Sequence, residues 1–390
     1  MSLHAALVTP LYGRDGGIAA HVAESAAALR RAGHEVTVVC ARSDAGQRPD
    51  VVVMPDLEAS PQAGAAQLGV VLRERRPDVV QLHDFADPLL VRAARAIAPV
   101  VASAHAYPGC VHNNHYFSPG EECHRPHGPG CFAQIALHGC LHARNPLPVP
   151  GMYRRTKRRV EALRLADAIV CYSRAVLGHL HENELAAQVI PPFTSAERTA
   201  AATGAQSARS GVLFVGRVVP AKGLDVLLRA MALVDVPLTI AGDGWSRPAA
   251  ERLAAELGIA SRVRFTGWLS AEQLARVYRE AQIVALPSLW PEPFGLVGLE
   301  AMAYARPVVA SVTGGVRDWL EHGVTGLGVP PGDPAKLAEA LGALVADRAL
   351  GERMGRAGRS ALERDFSERR HVEALGQVFG SVLSGVRAQA

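Results

Sequence analysis

Short runs of β-branched and other apolar residues alternate with amphipathic helical segments along almost the whole chain. Strands that are apolar on both faces are typical of a parallel sheet covered by helices on each side. The pattern therefore predicts an α/β fold built from doubly wound sheets. In the first half it predicts strands at 3–9, 34–40, 51–54, 78–83, 100–105, 168–173 and 188–190. In the second half it predicts strands at 211–217, 238–241, 263–266, 283–287 and 307–310.

The alternation occurs twice, and it predicts two Rossmann-like domains that face a central cleft. A chain of 390 residues is long enough for two domains. Residues 196–210 are small and polar without periodicity, so they are the predicted linker between an N-terminal domain, 1–195, and a C-terminal domain, 211–366. A terminal helix is expected within 367–390, packing back on the N-terminal domain. Ligands of such sheets bind beyond the carboxyl ends of the strands, so the cleft is the expected site.

Composition excludes several classes of protein. Hydrophobic residues make up 49% and charged residues 20% of the chain, which is ordinary for a globular protein and excludes wholesale disorder. The net charge of +4 is too small to predict nucleic-acid binding. No apolar run approaches the roughly 20 residues of a membrane-spanning helix, and the N-terminus resembles a first strand rather than a leader. We therefore expect a cytoplasmic protein.

The sequence lacks the common phosphate-binding motifs. It has no G-x-G-x-x-G turn after the first strand, no P-loop, and no D-x-D pair for a divalent cation on a nucleotide diphosphate. No catalytic divalent metal is therefore expected, and cations of the chain itself must neutralise a bound phosphate. Arg217 and Lys222 are the candidates, because they flank a strand-to-helix turn at 215–223 whose helix N-terminus also attracts anions. The alternative is a solvated surface pair.

Two carboxylates follow a predicted strand in the segment 288–303. Glu292 lies in a proline-bracketed turn, and Glu300 lies on the following helix with seven residues between them. Carboxylates suit the hydroxyl pairs of a sugar or a ribose, and the backbone N–H groups of a helix N-terminus at 295–297 suit a phosphate. A solvent salt bridge is the usual alternative for a helical glutamate, but the apolar neighbours here disfavour it.

These segments stand in a familiar order along the chain: Gly16-Gly17, VGRVVPAKG at 215–223, AGDG at 241–244 and EPFGLVGLEAMA at 292–303. The sequence thereby resembles the retaining GT-B glycosyltransferases of family GT4, most closely over 211–333. The resemblance implies a GT-B fold and transfer of a sugar from a nucleotide diphosphate sugar to an acceptor hydroxyl.

The resemblance also implies roles for individual residues. Arg217 and Lys222 match the diphosphate-binding pair, Glu292 matches the carboxylate on the donor-sugar hydroxyls, and Glu300 matches the one on the nucleotide ribose. His105 matches the family's cleft histidine, which donates a hydrogen bond to the donor sugar or phosphate. The other positions implied to bind the donor are Gly16, Gly17, Gly216, Gly242, Phe294, Gly295, Leu296 and Val297.

The chain departs from the family pattern at two places. The aspartate that usually follows the histidine is Ala106 here, and the GG turn at 313–315 is followed by Val316-Arg317-Asp318 where the family usually continues to a glutamate. His83 and Asp84 close an earlier strand and are further candidates for the cleft.

Cysteines and histidines are dense in a Gly- and Pro-rich insertion at 106–150. Its cysteines are spaced C-x12-C-x7-C-x8-C, and four thiolates can hold a structural zinc or, as an alternative, an iron–sulfur cluster. Reduced cysteines or two disulfides remain open, since no CxxC pair is present. The predicted metal ligands are Cys110, Cys123, Cys131 and Cys140, whereas Cys40 and Cys171 are expected to be buried thiols in strands.

The sequence thus predicts a retaining hexosyltransferase that takes a nucleotide sugar, with UDP favoured over GDP. A non-catalytic nucleotide-sugar-binding protein, a GT-B nucleotide-sugar epimerase and a phosphorylase-like enzyme are the alternatives. The acceptor stays open among a sugar or polysaccharide, a lipid-linked sugar and a small natural product. The basic stretch 152–164 suits an anionic membrane surface, but no apolar face accompanies it, so a solvated helix face is preferred.

Overall fold

A computed structural model describes most of the chain and divides it into two compact units. Unit 1 comprises Met1–Phe117, Cys123–Pro192 and Glu368–Ala390, and unit 2 comprises Ser118–Glu122 and Phe193–Ser367. The described residues are 2–13, 17–44, 46, 48–84, 87–111, 122–138, 148–194 and 209–387. Almost all of the predicted linker at 196–210 lies outside the described residues.

Unit 1 contains a parallel sheet in the order β3-β2-β1-β4-β5-β6-β7. The strand order reverses between β1 and β4, which is the point where ligands of doubly wound sheets usually bind. Successive strand residues pack into two different hydrophobic cores. Leu7 and Val38 lie in one core, and Val8 and Val39 lie in the other. The strands are β1 (His4–Tyr12), β2 (Glu35–Ser43), β3 (Val51–Val53), β4 (Val79–His83), β5 (Val100–Ala104), β6 (Ala168–Cys171) and β7 (Gln188–Val189).

Helices connect these strands and begin at recognisable capping residues. Ser60, Asp87 and Ser173 each accept a hydrogen bond from a first-turn backbone N–H of the helix that follows. The helices of this part of the chain are α1 (Gly17–Arg31), α2 (Asp56–Ala59), α3 (Pro61–Arg75), α4 (Pro88–Arg95), α5 (Gly130–His138), α6 (Val149–Arg164) and α7 (Arg174–Glu182). Helix α5 lies within the predicted insertion at 106–150.

Unit 2 contains a second parallel sheet in the order β10-β9-β8-β11-β12-β13. Here too, neighbouring strand residues enter different cores: Phe214 and Ala285 pack in one, Leu213 and Val284 in the other. The strands are β8 (Val212–Val215), β9 (Leu238–Ala241), β10 (Val263–Gly267), β11 (Ile283–Leu286), β12 (Val308–Ser311) and β13 (Gly326–Val329). The helices are α8 (Leu224–Met231), α9 (Arg247–Glu256), α10 (Ala271–Glu280), α11 (Leu296–Ala303), α12 (Pro334–Ala346) and α13 (Arg348–Asp365).

The last helix, α14 (Glu368–Arg387), is part of unit 1. Leu375 and Phe379 are buried in the same core as Leu7 of β1. At the start of the helix, Glu368 accepts two hydrogen bonds of 2.8 Å from the Arg31 guanidinium of α1.

The predicted α/β fold of two Rossmann-like domains is confirmed, and each predicted strand is observed with ends shifted by a few residues. Strand β13 was not predicted. β13 reads GLGV, and its two glycines hide the strand pattern. None of the helices in the described part of the chain is long and apolar enough to cross a membrane.

Candidate functional site

The loops that follow β8 and β11 in unit 2 pack backbone against backbone. Gly223, at φ 65°, ends the 3-10 turn Pro220–Lys222, and a Cβ there would lie 2.0 Å from the carbonyl oxygen of Pro287. The Leu289 N–H donates to the Ala221 carbonyl at 2.9 Å. This contact requires glycine at 223, and it brings the basic motif after β8 beside the acidic motif after β11.

The loop after β9 is packed equally tightly on the loop after β8. A Cβ on Gly242 would lie 2.0 Å from the carbonyl oxygen of Gly216, and the Gly216 N–H donates to Ala241 at 3.0 Å. This packing alone accounts for glycine at 242, so the residue type is no proof of a donor contact at that position.

Lys222 and Glu292 bond to each other. Lys222 Nζ lies 2.6 Å from Glu292 Oε1, and the buried Ser288 hydroxyl donates to the same oxygen at 2.5 Å. Glu292 is only 3% exposed, and the Lys222 ammonium also lies 5.2 Å from the Trp290 ring centroid. The two residues, which the family resemblance assigns to different parts of a donor, therefore form one partly buried ion pair. Ser288 was not predicted, because a serine at a strand end carries no distinctive signal.

Arg217 is in a different environment from Lys222. Its side chain is exposed, and it makes no hydrogen bond or ion pair with the part of the chain that the structure describes. The guanidinium is consequently available to an anion.

Glu300 is held by a tyrosine from α10. The Tyr278 hydroxyl donates to Glu300 Oε2 at 2.7 Å, and the Tyr278 ring stacks on Tyr304 with centroids 5.0 Å apart. Tyr278 is buried and Glu300 partly buried, so the carboxylate has a fixed orientation. Tyr278 was not predicted, and at 22 positions from Glu300 no local pattern connects the two.

The first turn of α11 offers backbone N–H groups at the positions predicted to line a donor. Gly295, at φ 86°, precedes the helix, and Phe294 is buried with its carbonyl bonded to the Trp319 indole at 2.7 Å. The first N–H groups of a helix have no partner within it, so those of Leu296 and Val297 suit hydroxyl or phosphate oxygens. Trp319 was not predicted as the support of this turn.

The GG turn at 313–315 is occupied by a carboxylate that sequence reasoning missed. Glu122 belongs to unit 2, and its Oε1 accepts from the Gly314 N–H at 3.0 Å and from the Arg317 guanidinium at 2.8 Å. The Gly315 N–H donates to the Glu292 carbonyl at 2.7 Å, which joins this turn to the acidic motif. The family's usual glutamate after the turn is missing here, and a carboxylate 192 positions away contacts Gly314.

In unit 1, histidines from neighbouring strands meet at the carboxyl edge of the sheet. His83 ends β4 and His105 follows β5, with His83 Nδ1 and His105 Nε2 3.0 Å apart. The Tyr172 ring stacks on His105 with centroids 4.5 Å apart, and His21 of α1 lies edge-on at 5.6 Å. Burial lowers the pKa of His105 to about 3 and that of His83 well below its usual value, so both rings are neutral at pH 7.

The histidine cluster extends to α14. His371 Nδ1 lies 2.8 Å from the Pro191 carbonyl oxygen, and its ring is 5.4 Å from that of His21. Burial lowers the pKa of His371 to about 4. Asp84, next to His83, adopts φ 59°, and burial raises its pKa although Arg159 opposes the shift.

The glycine turn predicted to contact the donor is only partly described. Gly17 is the exposed first residue of α1, and Gly16 lies outside the described residues.

Three of the four predicted metal ligands, Cys110, Cys123 and Cys131, lie in described residues of unit 1. Burial raises the pKa of Cys123, and the thiols of Cys110 and Cys131 also raise it. Cys140 lies outside the described residues. Among the residues that are described, no three His, Cys, Asp or Glu side chains are placed so that they could hold a metal ion. Cys40 and Cys171 are buried in strands, as predicted.

The loops that carry these cysteines are anchored to α7. The His127 N–H donates to Asn183 Oδ1 at 2.8 Å, and the Gly109 N–H donates to His179 Nε2 at 2.9 Å. His124 follows Cys123 directly, and its Nδ1 lies 2.9 Å from Glu182 Oε1. The loop ends are thus fixed by side chains of one helix and of the residue just beyond it.

The basic stretch 152–164 forms most of α6. Arg158 pairs with Asp87 at 2.7 Å, and Lys157 lies 3.9 Å from Glu161. The Lys157–Glu161 pair is exposed, which is typical of a solvated helix face, whereas Asp87 is buried and ties Arg158 to the N-terminus of α4.

Comparisons with known proteins match this chain over nearly its whole length. The family model for "Glycosyltransferase Family 4" matches residues 15–198, and that for "Glycosyl transferases group 1" matches residues 196–361. D-inositol 3-phosphate glycosyltransferase from Mycolicibacterium gilvum is 32% identical over 100% of this chain and 90% of its own length.

Solved structures match the whole fold. Sucrose-phosphate synthase from Thermosynechococcus elongatus has a TM-score of 0.73 at 21% identity, covering 98% of this chain and 100% of its own. Anabaena HepE, solved in complex with UDP, has a TM-score of 0.68 at 18% identity, with the same coverage of 98% and 100%.

Proposed function

The chain belongs to the group 1 glycosyltransferases of family 4 and is a hexosyltransferase, and from that premise we propose that it transfers a sugar from UDP-sugar to an acceptor hydroxyl with retention of configuration. The observation that carries the proposal is the Lys222–Glu292 pair, whose glutamate lies in the loop that leads into α11, the helix that carries Glu300. The UDP complex of HepE favours UDP over GDP.

The donor diphosphate would bind to Lys222 and Arg217 without a divalent metal. A phosphate oxygen competes with Glu292 for the Lys222 ammonium, and the Arg217 guanidinium is exposed and therefore available to join it. Backbone N–H groups at the start of α11 add partial positive charge. Charge that develops on the leaving diphosphate is thereby stabilised by fixed groups of the chain.

The two carboxylates would then hold hydroxyl groups. When a phosphate draws Lys222 away, Glu292 keeps the Ser288 hydroxyl as a partner and gains capacity to accept from donor-sugar hydroxyls. Glu300, oriented by Tyr278, would accept from the ribose hydroxyls. A sugar that lacks the matching hydroxyl leaves a buried carboxylate poorly paired, which gives discrimination.

His105 would donate a hydrogen bond to the donor sugar or phosphate. Its neutral state supports this role, because a neutral imidazole carries one N–H and adds no net charge. The resemblance to the family implies a front-face substitution, and we propose it here: the leaving phosphate assists deprotonation of the acceptor, and no carboxylate is assigned as a glycosyl nucleophile. The names of the relatives, an inositol phosphate glycosyltransferase and sucrose-phosphate synthase, favour a sugar or polyol acceptor.

We retain the proposal that the insertion holds one structural zinc, with an iron–sulfur cluster as the alternative. The electrostatic influence of Cys110 and Cys131 on Cys123 supports it. The fourth ligand would be Cys140. Thiolate ligation would supply about 10 kcal/mol or more toward ordering a segment with few large apolar residues. We also propose a cytoplasmic location, which suits the buried thiols of Cys40 and Cys171.

The test is a thermal-shift panel of UDP- and GDP-sugars followed by a donor-turnover assay with EDTA present. A donor at 100 times its Kd should add about 2.7 kcal/mol to the free energy of unfolding. Lys222→Ala should lose the shift and the turnover, whereas Lys336→Ala, which removes an exposed lysine of α12, should keep both. Wild-type turnover in Lys222→Ala, or loss of turnover with EDTA, would contradict the proposed site.

A further inference from the structure

We propose that His83 is a positioning residue that fixes the proton of His105 on Nδ1, so that His105 presents a hydrogen-bond donor to the reaction. This inference rests on the role proposed above for His105. It gives a defined role to His83, which the sequence offers only as a candidate for the cleft.

The geometry places the two rings in direct contact. β4 and β5 are neighbouring parallel strands, and His83 pairs in register with Ser103, two residues before His105. His83 is 0% exposed, and its Nδ1 lies 3.0 Å from His105 Nε2. Because both rings are neutral, one of these two nitrogens must carry the hydrogen and the other must accept it.

The other nitrogen of His83 decides which ring donates. His83 Nε2 is buried and has no hydrogen-bond partner in the described part of the chain. If His105 were the donor, His83 would carry its proton on Nε2, which would leave a buried N–H without an acceptor. Orphaned buried N–H groups are rare, and an orphaned acceptor is tolerated more easily. His83 therefore donates from Nδ1, and its bare Nε2 lone pair faces the interior.

The hydrogen bond from His83 determines which nitrogen of His105 carries the proton. A neutral imidazole has one N–H, so accepting at Nε2 forces the proton of His105 onto Nδ1. Within the described residues Nδ1 of His105 makes no hydrogen bond, and His105 is only partly buried although His83 is fully buried. The donor nitrogen is thus the one left for a ligand.

Packing prevents the His105 ring from flipping to exchange its nitrogens. Tyr172 stacks on it at 4.5 Å with an interplanar angle of 27°, and His21 closes an edge at 5.6 Å. Gln81 on β4 donates a hydrogen bond of 2.8 Å to the Ser103 hydroxyl on β5, which links the two strands. Ala106, which stands where the resembling family has an aspartate, offers no side-chain acceptor to orient the ring.

The experiment measures the His105 tautomer directly by long-range 1H–15N NMR correlation on histidine-labelled protein, with the signals assigned through His105→Gln. Wild type should show the Nδ1–H form. His83→Asn should keep it, because the asparagine amide nitrogen can donate from near the position of Nδ1. His83→Asp places a carboxylate acceptor at the same position, so His105 should shift to the Nε2–H form. His371→Leu is the matched control, since it removes a buried histidine of the same cluster that bonds to Pro191, and it should leave the His105 signal unchanged.

Kinetics supply the second readout. His83→Asp should lower kcat by about tenfold or more with donor KM nearly unchanged, and His83→Asn should stay close to wild type. An unchanged His105 tautomer in a folded His83→Asp protein overturns the inference, as does equal kcat loss in the Asn and Asp variants. Wild-type activity in His105→Gln would instead refute the proposed role of His105, while the tautomer comparison still decides whether His83 positions that ring.

Discussion

The Lys222–Glu292 ion pair gives a prediction in which stability and activity separate. Lys222→Met keeps the length of the side chain and removes its charge. Removing one partner of a buried ion pair typically costs about 3–5 kcal/mol, because the other charge stays buried without compensation. Here Lys222 is 19% exposed and Ser288 still donates to Glu292, so the expected loss in the free energy of unfolding is smaller, about 1–3 kcal/mol.

A second substitution should restore stability without restoring activity. Glu292→Gln in the Lys222→Met background removes the uncompensated charge, and the amide can still bond to Ser288. The double variant should therefore be more stable than the sum of the single losses by about 1–3 kcal/mol. Turnover should stay low in all three proteins, because loss of a charge-stabilising donor costs about 2.7–4 kcal/mol of transition-state stabilisation.

The assays are urea unfolding and donor turnover on the two single variants, the double variant and Lys336→Met. Lys336 is exposed and pairs with Glu339 one turn away on α12, so its loss should change stability by no more than about 0.5 kcal/mol and leave turnover intact. Additive stability losses would refute the ion pair. Turnover of Lys222→Met within about threefold of wild type would refute its role in neutralising the diphosphate.

Four further outcomes are expected. Glu300→Ala should weaken UDP itself in calorimetric titration, whereas Glu292→Ala should leave UDP affinity nearly intact and lower the rate; equal losses of affinity would mean that the ribose and sugar assignments are wrong. Tyr278→Phe should weaken UDP by about 0.5–1.5 kcal/mol through loss of one hydrogen bond to Glu300, measured in the same titration. Buried His371 has a pKa of about 4, so at pH 5 it stays neutral in the folded protein whereas it is protonated in the unfolded chain. The free energy of unfolding should therefore fall by about 2 kcal/mol between pH 7 and pH 5 because of this residue. Urea unfolding of His371→Leu should show a correspondingly smaller decrease over the same pH range. Metal analysis of protein purified without a histidine tag should find near one equivalent of zinc, or several of iron, that is lost in Cys123→Ser; a metal-free, active and protease-resistant wild type would end that proposal.

The sequence determined the fold class because hydrophobic periodicity is local. Runs such as 78–83 and 283–287 are apolar on both faces, and only a sheet covered by helices buries both. The motif residues Lys222, Glu292 and Glu300 were equally readable, since their positions relative to predicted strand ends place them at the carboxyl edge of a sheet. Strand β13 was not predicted, because its two glycines weaken this local hydrophobic pattern.

The tertiary structure alone decided which side chains touch. That Lys222 bonds to Glu292 depends on the close approach of two loops 70 residues apart, and Glu122 reaches Gly314 across 192 positions. The pairing of His83 with His105 depends on the register of β4 against β5, which no pattern within either strand contains. A side chain's hydrogen-bond partner and protonation state are set by the neighbours that folding supplies, because burial removes water and leaves few groups to replace it. The sequence thus determines which residue types lie at the carboxyl edge of each sheet. Which side chain each of them bonds to depends on contacts between segments that are distant in sequence.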